Sequence, residues 1–140
     1  MQPETLRRRV GDQPVRLEFF ADEKVVLVYG TDAARVALLH QRIVGLASGR
    51  KERVAVHELP GFEPVSGCRL FLSVGKQDRG VWLAQRPNTL EWAITAGWWE
   101  NVAGLLEPFC SEPTKEMGRN NLDYGFTSEI TPIISLDRGW

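Results

Sequence analysis

The sequence predicts an α+β fold, a mostly antiparallel sheet of about six or seven strands with two principal helices packed on one face. Three observations lead there. Short runs carry apolar residues at alternate positions, as in Val15-Arg16-Leu17-Glu18-Phe19 and Leu90-Glu91-Trp92-Ala93-Ile94, the repeat of half-buried strands. Two longer segments, one ending near Ser48 and one beginning at Trp98, change to steps of three and four, the repeat of a helix with one apolar face. Glycine, proline, aspartate and asparagine cluster between these segments and keep the connections short.

In chain order, residues 1–13 are polar and punctuated by Pro3 and Gly11, a flexible or short helical lead-in to a single domain spanning the 140 residues. A hairpin follows, its first strand alternating at Val15, Leu17 and Phe19 and its second the continuous run Val25-Val26-Leu27-Val28-Tyr29, the more buried of the two. Thr31 is placed to cap the first helix, with Asp32 in its first turn against the helix dipole. Val36, Leu39, Ile43 and Leu46 form the buried stripe of that helix, and Gly49 stops it. His40 and Arg42 cannot both lie on the stripe, so at least one faces water.

A strand is expected over residues 53–59, ending at Pro60-Gly61, and Leu59-Pro60-Gly61-Phe62-Glu63-Pro64-Val65-Ser66-Gly67 reads as a shaped loop. Strands at 68–74, 81–85 and 89–95, joined by short connections, predict an antiparallel meander. The second helix carries Trp98, Val102, Leu105 and Phe109 in its stripe, widened by Trp99 and Leu106, and ends at Pro108. Beyond it the chain is irregular up to a final strand, residues 130–135, which Pro132 assigns to an edge or a bulge.

Seventeen basic against eighteen acidic residues leave a net charge of −1, so no general field draws nucleic acid or an anionic membrane to the chain. Arg7-Arg8-Arg9 and Arg50-Lys51-Glu52-Arg53 read as solvated charge runs. No apolar run approaches the ~20 residues of a membrane span, and no apolar stretch follows the N-terminal basic run, so a cytoplasmic protein is expected. Cys68 and Cys110 lack the spacing of a metal or redox motif and read as reduced thiols, with a single bridge left open. His40, His57 and the two cysteines are too scattered for a zinc site, and the lone Gly30 at the strand-to-helix turn is not a phosphate loop. Neither a cofactor nor a metal is expected.

No nucleophile stands beside a base and an orienting acid in the pattern of an acyl-transfer enzyme, and no two acidic residues are spaced as a catalytic pair. The excess of tryptophan is more informative. Trp82, Trp92 and Trp98 are assigned to the core, while Trp99 and Trp140, together with Phe62 in the shaped loop, are the candidates for a partner-binding surface, a core role for these two tryptophans staying open.

The helix Trp98-Trp99-Glu100-Asn101-Val102-Ala103-Gly104-Leu105-Leu106-Glu107-Pro108-Phe109 and the closing Ile133-Ile134-Ser135-Leu136-Asp137-Arg138-Gly139-Trp140 resemble the small cytosolic immunity proteins that bacteria make against polymorphic or contact-delivered toxins. The resemblance implies a non-enzymatic module that binds and neutralises a cognate toxin. It carries no functional residue over by motif, and the chain lacks the acidic excess common in inhibitors of nucleases. The alternative is a small-ligand-binding or enzyme domain with a pocket between sheet and helices, rimmed by the loop around Phe62.

Overall fold

The computed structural model describes residues 14–111, 118–122 and 128–139; the lead-in expected over residues 1–13 lies outside them. The architecture is α+β, with two helices and two mixed sheets in place of the single sheet expected. The strands are β1 (Val15–Phe20), β2 (Val25–Tyr29), β3 (Arg53–Ala55), β4 (Phe62–Pro64), β5 (Arg69–Val74), β6 (Gly80–Leu83), β7 (Thr89–Ile94), β8 (Arg119–Asn121) and β9 (Thr131–Ser135). The helices are α1 (Ala33–Ser48) and α2 (Ala96–Leu106). One sheet runs β4-β1-β2-β9-β8 and the other β3-β5-β7-β6. Three pairings are parallel, β1 with β4, β2 with β9 and β5 with β7.

The residues that join the two sheets explain why one sheet does not form. After α1 the chain lays β3 in the second sheet, returns to the edge of β1 as β4, and leaves again as β5. Gly61 and Gly67 make the reversals with φ of 83° and 70°, beside Ser66 at φ 54°. The shaped loop is therefore a strand between 3-10 turns, and β3 is shorter than the strand expected over 53–59 because Val56–Glu58 coils into the first of those turns.

The expected meander is also corrected. β7 is the most buried strand of its sheet, with Leu90, Trp92 and Ile94 all inside, and it takes the interior position between β5 and β6. The loop after β5 crosses the end of β7, with Gly75 N–H bonded to Ile94 O and Arg79 N–H to Ala93 O, and sets β6 on the far edge. β9 departs from expectation for a related reason. It lies between β2 and β8, yet Pro132 is tolerated because the β8 ladder begins at Ile133; only the Pro132 carbonyl is used on that side, accepting from Leu122 N.

α1 is capped by Asp32 instead of Thr31: Asp32 Oδ1 accepts from Ala34 N at 3.1 Å and Arg35 N at 3.3 Å. Gly49 closes the other end in a left-handed conformation. Val36, Leu39, Ile43 and Leu46 are buried as their spacing predicts, and His40 and Arg42 are both half-buried. α1 packs on α2 and on the 3-10 turn Glu107–Cys110 that holds Pro108.

One apolar cluster joins Val15 and Leu17 of β1, Val26 and Val28 of β2, the α1 stripe, Leu70, Leu72, Leu90 and Trp92 of the second sheet, and Trp99, Val102 and Leu106 of α2. At its centre the Trp92 and Trp99 rings lie 4.8 Å apart, tilted by 54°. Trp99 Nε1 donates to the Ser73 carbonyl at 2.9 Å, whereas Trp92 Nε1 is buried with no partner. We therefore expect Trp99→Phe to lower unfolding stability by about 2–3 kcal/mol and Trp92→Phe by less, since only the first deletes a satisfied buried donor. Urea melts of the two variants check this; equal losses would refute it.

Candidate functional site

The side of the second sheet away from the core carries a row of aromatic and cationic side chains within reach of solvent. Alternation along β5, β6 and β7 sends Leu72, Val81 and Trp92 inward and leaves Phe71, Trp82 and Glu91 on the opposite side. The register aligns these three, with Phe71 opposite Glu91 in the parallel pair and Trp82 opposite Glu91 in the antiparallel pair. An arginine covers the ring at each end of the row. The Arg53 guanidinium carbon stands 4.2 Å from the Phe71 centroid, and that of Arg79 stands 3.6 Å from Trp82. At such exposed sites each stack contributes roughly 0.5–1 kcal/mol.

Arg53 also pairs with Glu91, Nη2 to Oε2 at 3.3 Å. Leu83, Gln85, Arg86 and Thr89 complete an open depression of about 680 Å³. Three guanidinium groups thus line it against the single carboxylate of Glu91, a local positive excess on a chain whose total charge is nearly balanced. Leu83, at 50% exposure, adds an apolar spot on the β6 edge.

The supports of this row are polar and specific. Asp78 Oδ1 accepts from both the backbone N and the hydroxyl of Thr95, each at 2.8 Å, which ties the loop before Arg79 to the start of α2. Gly80 has φ 84°, and a Cβ there would lie 2.7 Å from Ser128 Oγ. That hydroxyl accepts from Val81 N at 2.8 Å and donates to the Ile130 carbonyl at 2.6 Å, holding β6 beside Trp82. Behind Phe71, the His57 ring meets it edge-on at 4.9 Å, and His57 Nδ1 accepts from Leu70 N. Burial holds the His57 pKa below its ordinary value.

The outer face of the first sheet is organised differently. Glu18 accepts from Tyr29 Oη and from both Nε and Nη2 of Arg138, each at 3.0 Å, and Arg16 pairs with Glu63. The hydrogen-bonded Arg138 holds the Glu18 carboxyl below the usual range. These charges answer one another, so the cluster clasps the residues after β9 onto β1 and has little left to offer a ligand.

The aromatic assignments made from sequence are revised by this arrangement. Trp99 is 0% exposed and Phe62, at 8%, points into the core from β4, so neither ring reaches a docking partner on the folded chain. Trp140 lies outside the described residues. Trp82, assigned to the core, turns outward, and Trp98 is half-buried against the core margin. Alternation could not fix the phase of β6, because Val81, Trp82 and Leu83 are all apolar.

Both thiols are free; burial pushes the Cys68 pKa up to about 12 and raises that of Cys110, which leaves neither an activated nucleophile. Among the described residues, no three His, Cys, Asp or Glu side chains converge to hold a metal ion. Comparison with protein-family models, with curated proteins and with solved structures finds no match to this chain.

Two consequences can be measured. Because His57 titrates lower in the native state than unfolded, its neutral form carries no penalty above pH 6.5, and stability falls as the pH drops below that value. The decline attached to Glu18 starts only near its ordinary pKa of 4.5. Urea melts across this range should show the shallower profile for His57→Gln; an unchanged slope between pH 6.5 and 5 would remove His57 as the cause. Gly80→Ala should cost about 1–3 kcal/mol, from its positive φ and the Ser128 contact. A thermal midpoint equal to that of the parent would sink that account.

Proposed function

We propose that this chain is a non-enzymatic protein-binding module that docks its partner on the Arg53, Phe71, Glu91, Trp82 and Arg79 row of the second sheet. The observation that carries the reading is the pair of arginine–aromatic stacks held ready on an open sheet face. Arginine and tryptophan are the residue types that dominate binding energy at protein interfaces. Side chains already stacked and hydrogen-bonded lose little further freedom on binding, so more of the contact energy appears as affinity.

The resemblance to immunity proteins makes neutralisation of a bacterial toxin domain the first form of this activity to test. The alternative, a ligand pocket between sheet and helices, has weaker support. The cavity where α1 meets both sheets, lined by Leu39, Leu72 and Trp92 among others, has a volume near 10 Å³, against the roughly 300–1,000 Å³ of ordinary ligand sites.

The test compares capture of a purified candidate toxin domain by the parent protein, by Trp82→Ala and by Glu63→Ala on the opposite sheet. Trp82→Ala is expected to weaken the complex by about 2 kcal/mol, near thirtyfold, with Glu63→Ala unchanged. A complex formed equally well by all three would place binding on another surface.

A further inference from the structure

Resting on that reading, we infer that the partner meets this face with a carboxylate-rich peptide segment whose acidic side chains engage Arg79 and Arg86. The inference comes from how the charges on the face are used. Arg53 and Glu91 satisfy each other, whereas neither Arg79 nor Arg86 has an ion-pair partner among the described residues. Both are exposed, and both line the same depression.

The guanidinium carbon of Arg79 stands 3.6 Å from the Trp82 ring centroid, so the ring takes up one side of the group while the side chain remains exposed, with no ion-pair partner among the described residues for its N–H groups. A carboxylate approaching in the guanidinium plane can accept two parallel hydrogen bonds. Arg86, in the middle of the short β6–β7 connection, offers a second site to the same segment. Leu83, half exposed at the end of the β6 edge strand, borders the same depression and offers apolar surface to the partner.

A single-stranded nucleic acid fits the face less well. Such ligands stack bases on free aromatic rings, and here an arginine already covers both Phe71 and Trp82. Glu91, in the middle of the row, would also stand close to a phosphate chain tracking across it. An acidic peptide can keep to the Arg79 and Arg86 side and avoid that carboxylate.

The experiment titrates the full-length protein with an oligo-glutamate peptide and follows the arginine Nε–H and tryptophan indole signals by NMR. Oligo-dT and inorganic phosphate serve as comparison probes. Saturable shifts at Arg79, Arg86 and Trp82 are expected, weakening as salt is raised. The charge-reversed double variant R79E/R86E should lose about tenfold or more in affinity. R79K, which keeps the charge without the planar fork, should fall between the two. Both positions are exposed, and a thermal melt verifies that the variants fold.

No response to oligo-glutamate at these signals would overturn the inference, as would tighter binding of oligo-dT or phosphate at the same residues. The two levels of the argument separate when a toxin domain is tested. A complex lost in Trp82→Ala but indifferent to R79E/R86E refutes the acidic segment alone, while a complex retained by both refutes the docking face itself.

Discussion

The contact between Trp92 and Trp99, locked by the hydrogen bond from the Trp99 indole to the Ser73 carbonyl, is the constraint on which the other elements depend. It fixes α2 to the two interior strands of the second sheet at once, since Trp92 belongs to β7 and Ser73 to β5. α1 packs on α2, and its stripe reaches the inward residues of both sheets. An indole buried with its donor satisfied supplies large apolar area without the cost of an orphaned polar group, which suits it to the centre of such a junction. Trp92 meets that standard less well, because its own donor is unpaired.

With the inward positions of β5, β6 and β7 filled, the alternating positions are displayed as a consequence. Phe71, Glu91 and Trp82 form a row because the register demands it, and the arginines settle over the rings because an exposed aromatic face attracts a guanidinium. Asp78 couples that row back to α2 through Thr95. The core and the candidate surface are two sides of one set of strands, which is why a balanced total charge can coexist with a locally cationic patch.

Much of the local structure was legible in the sequence. The stripe of α1, its glycine stop, the first hairpin and the alternation of β7 follow from residue spacing and survive in three dimensions. Features decided by long-range competition were not legible. No local pattern shows that β7 displaces β6 from the side of β5, or that β4 joins β1 in parallel. Within the site, Arg53 and Glu91 lie far apart in sequence and meet only because β5 pairs with both β3 and β7. Trp99 stood between surface and core in the sequence because it and Trp98 adjoin at the margin of an apolar stripe; the structure centres the stripe on Trp99, Val102, Ala103 and Leu106. Trp82 sits in an apolar triplet whose phase only the strand register determines.

The place of β9 bears on the order in which the molecule can be made. It is the last strand of the described chain, yet it occupies an inner position in the first sheet, where Ile133 faces Leu27 and Ile134 faces Val28. The hairpin of β1 and β2 is synthesised early and must wait, with one edge of β2 unpaired, until residues 131–135 leave the ribosome. That interval is when a nascent chain is most open to pairing with a neighbour. Sequence changes far from any binding surface, at Val26 or Val28 for instance, would then alter yield in the cell without touching what the finished protein recognises.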